Sequence, residues 1–192
     1  MANKFQLCSR ALVLVGGRKI ASFAGTSTEE LVAEELYDST LRSLLSDYRW
    51  RFASDYIELN RITELPTLKW TAQYHLPNDV FMIYCVYGDG QKLPFDRVRN
   101  RILCDAMPEE QVIAHVGFQP EEVEFPPYFE AVLVYRLAAI FAIPIAEDAD
   151  KATFYEGVAL RKFAQAKTIE AQGRTPSKMP VGGLRRYHGG GA

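Results

Sequence analysis

Helical periodicity at both ends of the chain, two-residue alternation in its middle and an aperiodic glycine-rich terminus together predict an α+β protein. About four helices, from residues 1–53 and 119–171, are expected to form an antiparallel bundle. An inserted antiparallel β-rich subdomain is expected at 54–118, and a flexible, extended C-terminal tail at 172–192. With 192 residues, 48% hydrophobic and 24% charged, the chain can bury a real core as one domain carrying an insertion.

The first helix is expected over residues 4–15, with Leu7, Ala11, Leu14 and Val15 on one face and Gly16-Gly17 closing it. Thr26, with Glu29 three residues on, reads as a capping box opening a second helix that runs to about Tyr48. Val32, Leu36, Tyr37, Leu41, Leu44, Leu45 and Tyr48 make its apolar face, while Glu34, Glu35, Asp38 and Arg42 look outward. After Trp50 the pattern changes. Trp70, Ala72, Tyr74 and Leu76 alternate with Thr71, Gln73 and His75, as in a half-buried strand. Val80–Tyr87 is a second strand ending in the hairpin signal Gly88-Asp89-Gly90. Val98–Cys104 and Gln111–Gly117 are two more, and Pro66, Pro77, Pro94 and Pro108 fall where strands start or stop.

Pro127 opens a third helix and Pro144 is expected to end it. Between them only Glu130 and Arg136 are charged, so the helix is apolar nearly all round and must be covered on most sides. As an interrupted stretch shorter than about 20 apolar residues it is not expected to span a bilayer. It belongs at the centre of a bundle, or is shared with a neighbouring subunit; Phe129, Val132, Tyr135 and Ile140 are the candidate subunit-packing residues. Asp148 caps a fourth helix to about Ala171, with Ala152, Tyr155, Val158, Ala159, Ala166 and Ile169 facing inward.

A net charge of −2 gives no global bias toward nucleic acid or membrane. Cys8, Cys85 and Cys104 form no CxxC pair, which points to reduced, cytoplasmic thiols and not to a zinc site or disulfide framework. The N-terminus lacks the apolar core of a signal peptide. His75, His115 and His188 have no carboxylate at ligand spacing, so neither a metal nor a cofactor is expected. Gly16-Gly17-Arg18-Lys19 lacks the phosphate-loop order and reads as helix termination. The acidic pairs at 29–30, 34–35, 109–110 and 121–122 read as helix-start charges or solvated faces, so no catalytic residue is named.

Asp47-Tyr-Arg-Trp50-Arg-Phe52-Ala53 places aromatics among cations at the helix-to-sheet junction. Trp50 and Phe52 are expected to be a hydrophobic pin in the junction core; the competing reading is a stacking surface for single-stranded nucleic acid that also uses Arg49 and Arg51. In the tail, Val181, Leu184 and Tyr187 recur at a spacing of three beside Arg185 and Arg186. Leu184, Arg185, Arg186 and Tyr187 are the residues expected to dock on a partner.

Three segments carry a family resemblance. Ala11-Leu-Val-Leu-Val-Gly-Gly followed by Ile20-Ala-Ser-Phe resembles the A-L-x-x-L-G-x-x-x-I-x-S opening of phage head-to-tail adaptor proteins. Tyr37-Asp38, Leu41, Leu44-Leu45 and Trp50-x-Phe52-Ala53 resemble the family's acidic helix and its junction. Trp70, Tyr74-His-Leu-Pro77 and Asp79 resemble its W-x-x-x-Y-x-L-P-x-D strand pair. The family includes the tail tubular, or gatekeeper, proteins of T7-like short-tailed phages. The resemblance implies a structural virion protein of the neck, assembled in the host cytoplasm. Such a protein forms a homo-oligomeric ring, commonly of twelve, that joins the portal protein to the tail nozzle protein and lines the channel for ejected double-stranded DNA. Two rival expectations stand beside it, a virion-associated hydrolase of cell-wall sugar and a nucleic-acid binder using Trp50 and the basic tail.

Overall fold

The first helix, α1 (Lys4–Val15), opens on a reciprocal cap: the Asn3 side chain accepts from the Gln6 N–H at 2.9 Å, and Gln6 answers to the Asn3 N–H. Gly16 ends it at φ 95°, and the Gly17 N–H then reaches the Leu12 carbonyl at 2.8 Å. Only glycine adopts that conformation without strain. Gly16→Ala is therefore expected to lower stability by about 1–2 kcal/mol, measured by urea unfolding. The second helix, α2 (Thr28–Ser46), starts one residue later than the sequence suggests. Ser27, and not Thr26, is the cap, because Glu30 returns to the Ser27 N–H while Glu29 accepts from the Arg18 N–H instead.

The computed structural model describes residues 3–66 and 69–172, and it is mixed α+β with four helices and two antiparallel sheets. The strands are β1 (Ser54–Glu58), β2 (Asn60–Ile62), β3 (Ala72–His75), β4 (Val80–Gly88), β5 (Gln91–Leu93), β6 (Phe95–Val98), β7 (Arg101–Cys104) and β8 (Val112–Phe118). One sheet runs β1-β8-β4-β5 and the other β2-β3-β7-β6. Asp89 and Gly90 form the β4–β5 turn with positive φ at both positions, as the Gly-Asp-Gly signal required. Val98–Cys104 is not one strand. Arg99, at φ 54°, and Asn100 turn the chain between β6 and β7, a hairpin without the usual Asn-Gly signature. Gln73 also departs from expectation. It is buried, donating to the Glu64 carbonyl at 2.8 Å and accepting from Arg101 at 3.1 Å.

Pro127 occupies the first turn of α3 (Pro127–Ala146), but Pro144 lies inside the helix rather than ending it. The helix stops only at Glu147, whose φ of 51° turns its N–H back to the last carbonyls. The extra turn is held by packing: Ile145 lies against Gly17 so closely that a β-carbon there would sit 3.0 Å from its Cγ2. At 20 residues and mean hydropathy 1.8, α3 is long and apolar enough to cross a membrane by length and composition. The shortness expected from Pro144 does not hold. Its packing is that of a core helix: α1, α2 and α4 all rest on it, Glu130 pairs with Arg10 at 2.9 Å, and Arg136 pairs with Asp47 at 2.7 Å. The last helix, α4 (Ala149–Gln172), starts where the Asp148 carboxylate accepts from the Lys151 N–H at 2.8 Å. That bond holds the Asp148 carboxyl below its usual range. Ile169, expected inward, is exposed; Ala159 and Ala166 face the core.

Buried apolar residues fall into two clusters. One unites the four helices with Trp50, Ala53 and Phe125. The other lies between the sheets, where Ala72, Tyr74 and Ile102 of one face Val86, Ala114 and Val116 of the other. Near the boundary the Phe118 N–H bonds the Ala53 carbonyl at 3.0 Å, and Phe81 of β4 packs on the helical cluster.

Candidate interaction site

The helices leave a groove of about 1070 Å³ between α1 and α3, floored by Val13, Leu14, Val134 and Tyr135 and edged by Arg10 and Lys19. Helical spacing makes it. Leu7, Ala11, Leu12 and Val15 take the buried face of α1, which turns Val13 outward, and Val13 is 51% exposed. From the groove an apolar strip continues through aromatic contacts: Tyr135 stacks on Tyr155 of α4 at 6.3 Å, and Tyr155 meets Phe154 edge-on at 5.3 Å. Phe154 is 62% exposed and Ile143, near the end of α3, 60%. Exposed apolar side chains scattered singly are ordinary; a groove continued by a run of them is a surface that favours covering.

The subunit-packing candidates divide on this surface. Phe129 and Val132 are wholly enclosed by the chain's own core and have no area to offer another subunit. They face inward because α3 is central, touching helices on more than one side. Tyr135 lines the groove and Ile140 is 39% exposed, so both remain accessible. Leu184, Arg185, Arg186 and Tyr187 lie outside the described residues.

Trp50 is fully buried, so no nucleic-acid base can stack on it, and the reading that used it as a binding platform fails. Its ring meets Tyr48 and Phe129 at 5.1 Å and Phe163 at 5.8 Å, and its Nε1–H donates to the Leu44 carbonyl at 2.9 Å. Half-buried Phe52 packs on Phe129 at 4.8 Å beside it. Arg49 lies over the Tyr84 ring of the first sheet, 5.7 Å away.

Two features escaped the sequence. Glu170, in the last turn of α4, is buried and accepts from the Arg51 N–H and the Tyr128 hydroxyl. Burial and that carboxylate raise the Tyr128 pKa, which keeps the phenol a donor. Nothing in the local pattern separates Glu170 from other charges near a helix end. The second feature is a tyrosine cluster on the first sheet. Tyr56 stacks on His115 at 4.2 Å with 11° between the planes, Tyr84 meets the same imidazole at 5.1 Å, and Cys85 Sγ lies 3.9 Å from its Nδ1. Burial, with Arg49 nearby, lowers the His115 pKa and so disfavours the charged imidazole. His75 is exposed on β3.

The acidic pairs have structural partners or face water. Glu30 completes the α2 cap, Glu110 accepts from the Met107 N–H at 2.9 Å, and Glu122 accepts from the Tyr37 hydroxyl at 3.2 Å. Among the described residues, no group of three or more His, Cys, Asp or Glu side chains is placed to hold a metal ion. Cys8 lies deep enough that burial pushes its thiol up to about 12. Compared with models of known families and with curated proteins, the sequence matches none.

Proposed function

We propose that this chain is a structural subunit of a phage head-to-tail adaptor. In this reading the four helices form a bundle that carries the β-rich part as an insertion. The subunits close into a homo-oligomeric ring, in the neck of the virion, between the portal protein and the tail nozzle. The observation that carries the reading is the groove between α1 and α3 with its apolar continuation through Tyr155 to Phe154, together with the exposed Ile143 about two turns beyond Tyr135 on α3. A chain that leaves this much greasy helical surface uncovered gains by placing it against a copy of itself. A head-to-tail contact of that kind closes into a ring when successive rotations complete a circle. The order of the adaptor-like segments supports the same reading, since they fall on α1 and its exit loop, on α2 and the Trp50 junction, and on β3 and the turn that leads into β4.

Assembly is the test. The full chain, mixed with the portal of its own phage, is expected to add rings visible by electron microscopy. Val13→Asp and Ile143→Asp change exposed positions, so each is expected to alter folding stability by only about 0.5 kcal/mol. Each should nonetheless lower ring occupancy about ten-fold or more, because a charge in the centre of an apolar contact is desolvated without a partner. Wild-type chain that adds no ring to the portal would overturn the reading.

A further inference from the structure

We propose that the C-terminal segment of this same chain docks, through Arg185 and Arg186, on the tyrosine face of the first sheet. The docking is a property of the lone chain; its purpose, covering a portal-binding tail before assembly, rests on the adaptor reading.

Strand register builds the receiving face. Glu58, Ile113 and Tyr87 form one cross-strand row, and Tyr56, His115 and Cys85 form the next. Alternation puts both rows on the side of the sheet away from the inter-sheet core, which Ile57, Ala114 and Val86 enter. Tyr56 is 60% exposed, supported from beneath by its stacked imidazole, and Tyr87 lies 6.4 Å from it. Beside them Asp89, Gln111 and Ile113 complete a cleft of about 320 Å³. The side-chain carboxylates of Glu58 and Asp89 have neither hydrogen-bond nor ion-pair partners among the described residues. Two cations flank the face, Lys92 opposite Tyr87 and Arg49 over Tyr84, each at one end of it. A site of tyrosine faces next to unpaired carboxylates suits guanidinium groups, which stack on the rings and bond the acids.

The chain carries such groups within reach of this place. Glu170 ties the end of α4 to the Arg51 N–H, three residues before β1 begins, so the polypeptide leaves Gln172 close to the start of the edge strand β1. Arg185 follows thirteen residues later, within about 45 Å of extended chain. Charge agrees. Four of the 22 cations and none of the 24 carboxylates lie after Gln172, so a segment of +4 is tethered to a body of −6. The larger α1–α3 groove offers no unpaired carboxylate at its edge, since Glu130 is already paired with Arg10 and Lys19 stands beside it. Leu184 and Tyr187, flanking the two arginines, would fill the cleft between Tyr56 and Tyr87.

A spin label tests this in the full chain. Cys8, Cys85 and Cys104 are buried, so a nitroxide on His188→Cys reacts selectively. At low concentration the isotope-labelled chain is expected to lose amide intensity several-fold at Tyr56, Glu58, Tyr87 and Ile113, and not in α1 or α2. Arg185→Glu with Arg186→Glu, and separately Tyr56→Ala, should each restore it. No broadening, or broadening centred on the α1–α3 groove, overturns the proposal. So does broadening that appears only when unlabelled spin-bearing chains are mixed in, which would mark a second copy as the donor. Portal is absent from this experiment, so a null result here leaves the ring-assembly test standing on its own.

Discussion

Replacing Trp50 with alanine is expected to lower the free energy of unfolding by about 3–5 kcal/mol, the range for removing a fully buried large aromatic. The side chain meets α3 through the rings of Tyr128 and Phe129 and α4 through Phe163, with Tyr48, just beyond α2, edge-on beside it. Its Nε1–H also occupies the Leu44 carbonyl near the end of α2, where helix carbonyls run out of intrahelical partners. Against a typical stability of about 5–15 kcal/mol, such a loss leaves much of the population unfolded at modest urea. Trp50→Phe keeps most of the apolar volume and loses the donor, so about 1–2 kcal/mol is expected. Urea titrations of both variants check the ranking. A Trp50→Ala chain that unfolds like wild type while losing affinity for single-stranded DNA would show that the ring faces solvent and serves as a platform after all.

That ranking shows what was legible in the sequence. Helix positions followed from periodicity, and α1 lies where its apolar spacing and Gly16 put it. The capping pair of α2 slipped by one because Thr26 and Ser27 both fit an S/T-x-x-E pattern, and only the return bond of Glu30 decides between them. Pro144 misled for a different reason. A proline removes one helical bond and strains the preceding turn, but tertiary contacts of Ile145 can hold the next residues helical. In the β region the β4–β5 hairpin was marked by Gly88-Asp89-Gly90, whereas the β6–β7 hairpin was not, since an Arg99-Asn100 turn carries no sequence mark. The apolar excess of α3 was visible, whereas which of its residues it exposes was not. Phe129 and Ile140 look alike in the sequence; three neighbouring helices bury the first and leave the second at the surface. The tyrosine face needed register, because only pairing of β1 with β8 and of β8 with β4 brings Tyr56, His115 and Cys85 into one row.

Glu170→Ala is expected to cost about 2–4 kcal/mol, more than any exposed charge on α4, because it removes a buried carboxylate that accepts two part-buried hydrogen bonds. The Arg51 N–H and the Tyr128 hydroxyl both end on this carboxylate. Glu170→Gln keeps the volume and one acceptor oxygen, so about half of that loss should return. Tyr128→Phe removes one donor and is milder, at about 1 kcal/mol. Combining Tyr128→Phe with Glu170→Ala should cost less than the sum, since the second change strands one donor fewer. The pH dependence has a definite sign. Burial, with the bond to Glu170, raises the Tyr128 pKa in the folded chain, so its stabilisation is complete below the unfolded tyrosine value of about 10 and is lost as pH rises beyond it. Tyr128→Phe should flatten that alkaline decline. Because the same carboxylate fixes the end of α4 beside β1, Glu170→Ala is also expected to weaken the spin-label effect at Tyr56 and Tyr87 while the remaining fold persists. Stability and tail position both unchanged in Glu170→Ala would mean that the contact at the junction neither holds the helix end nor aims the chain that follows it.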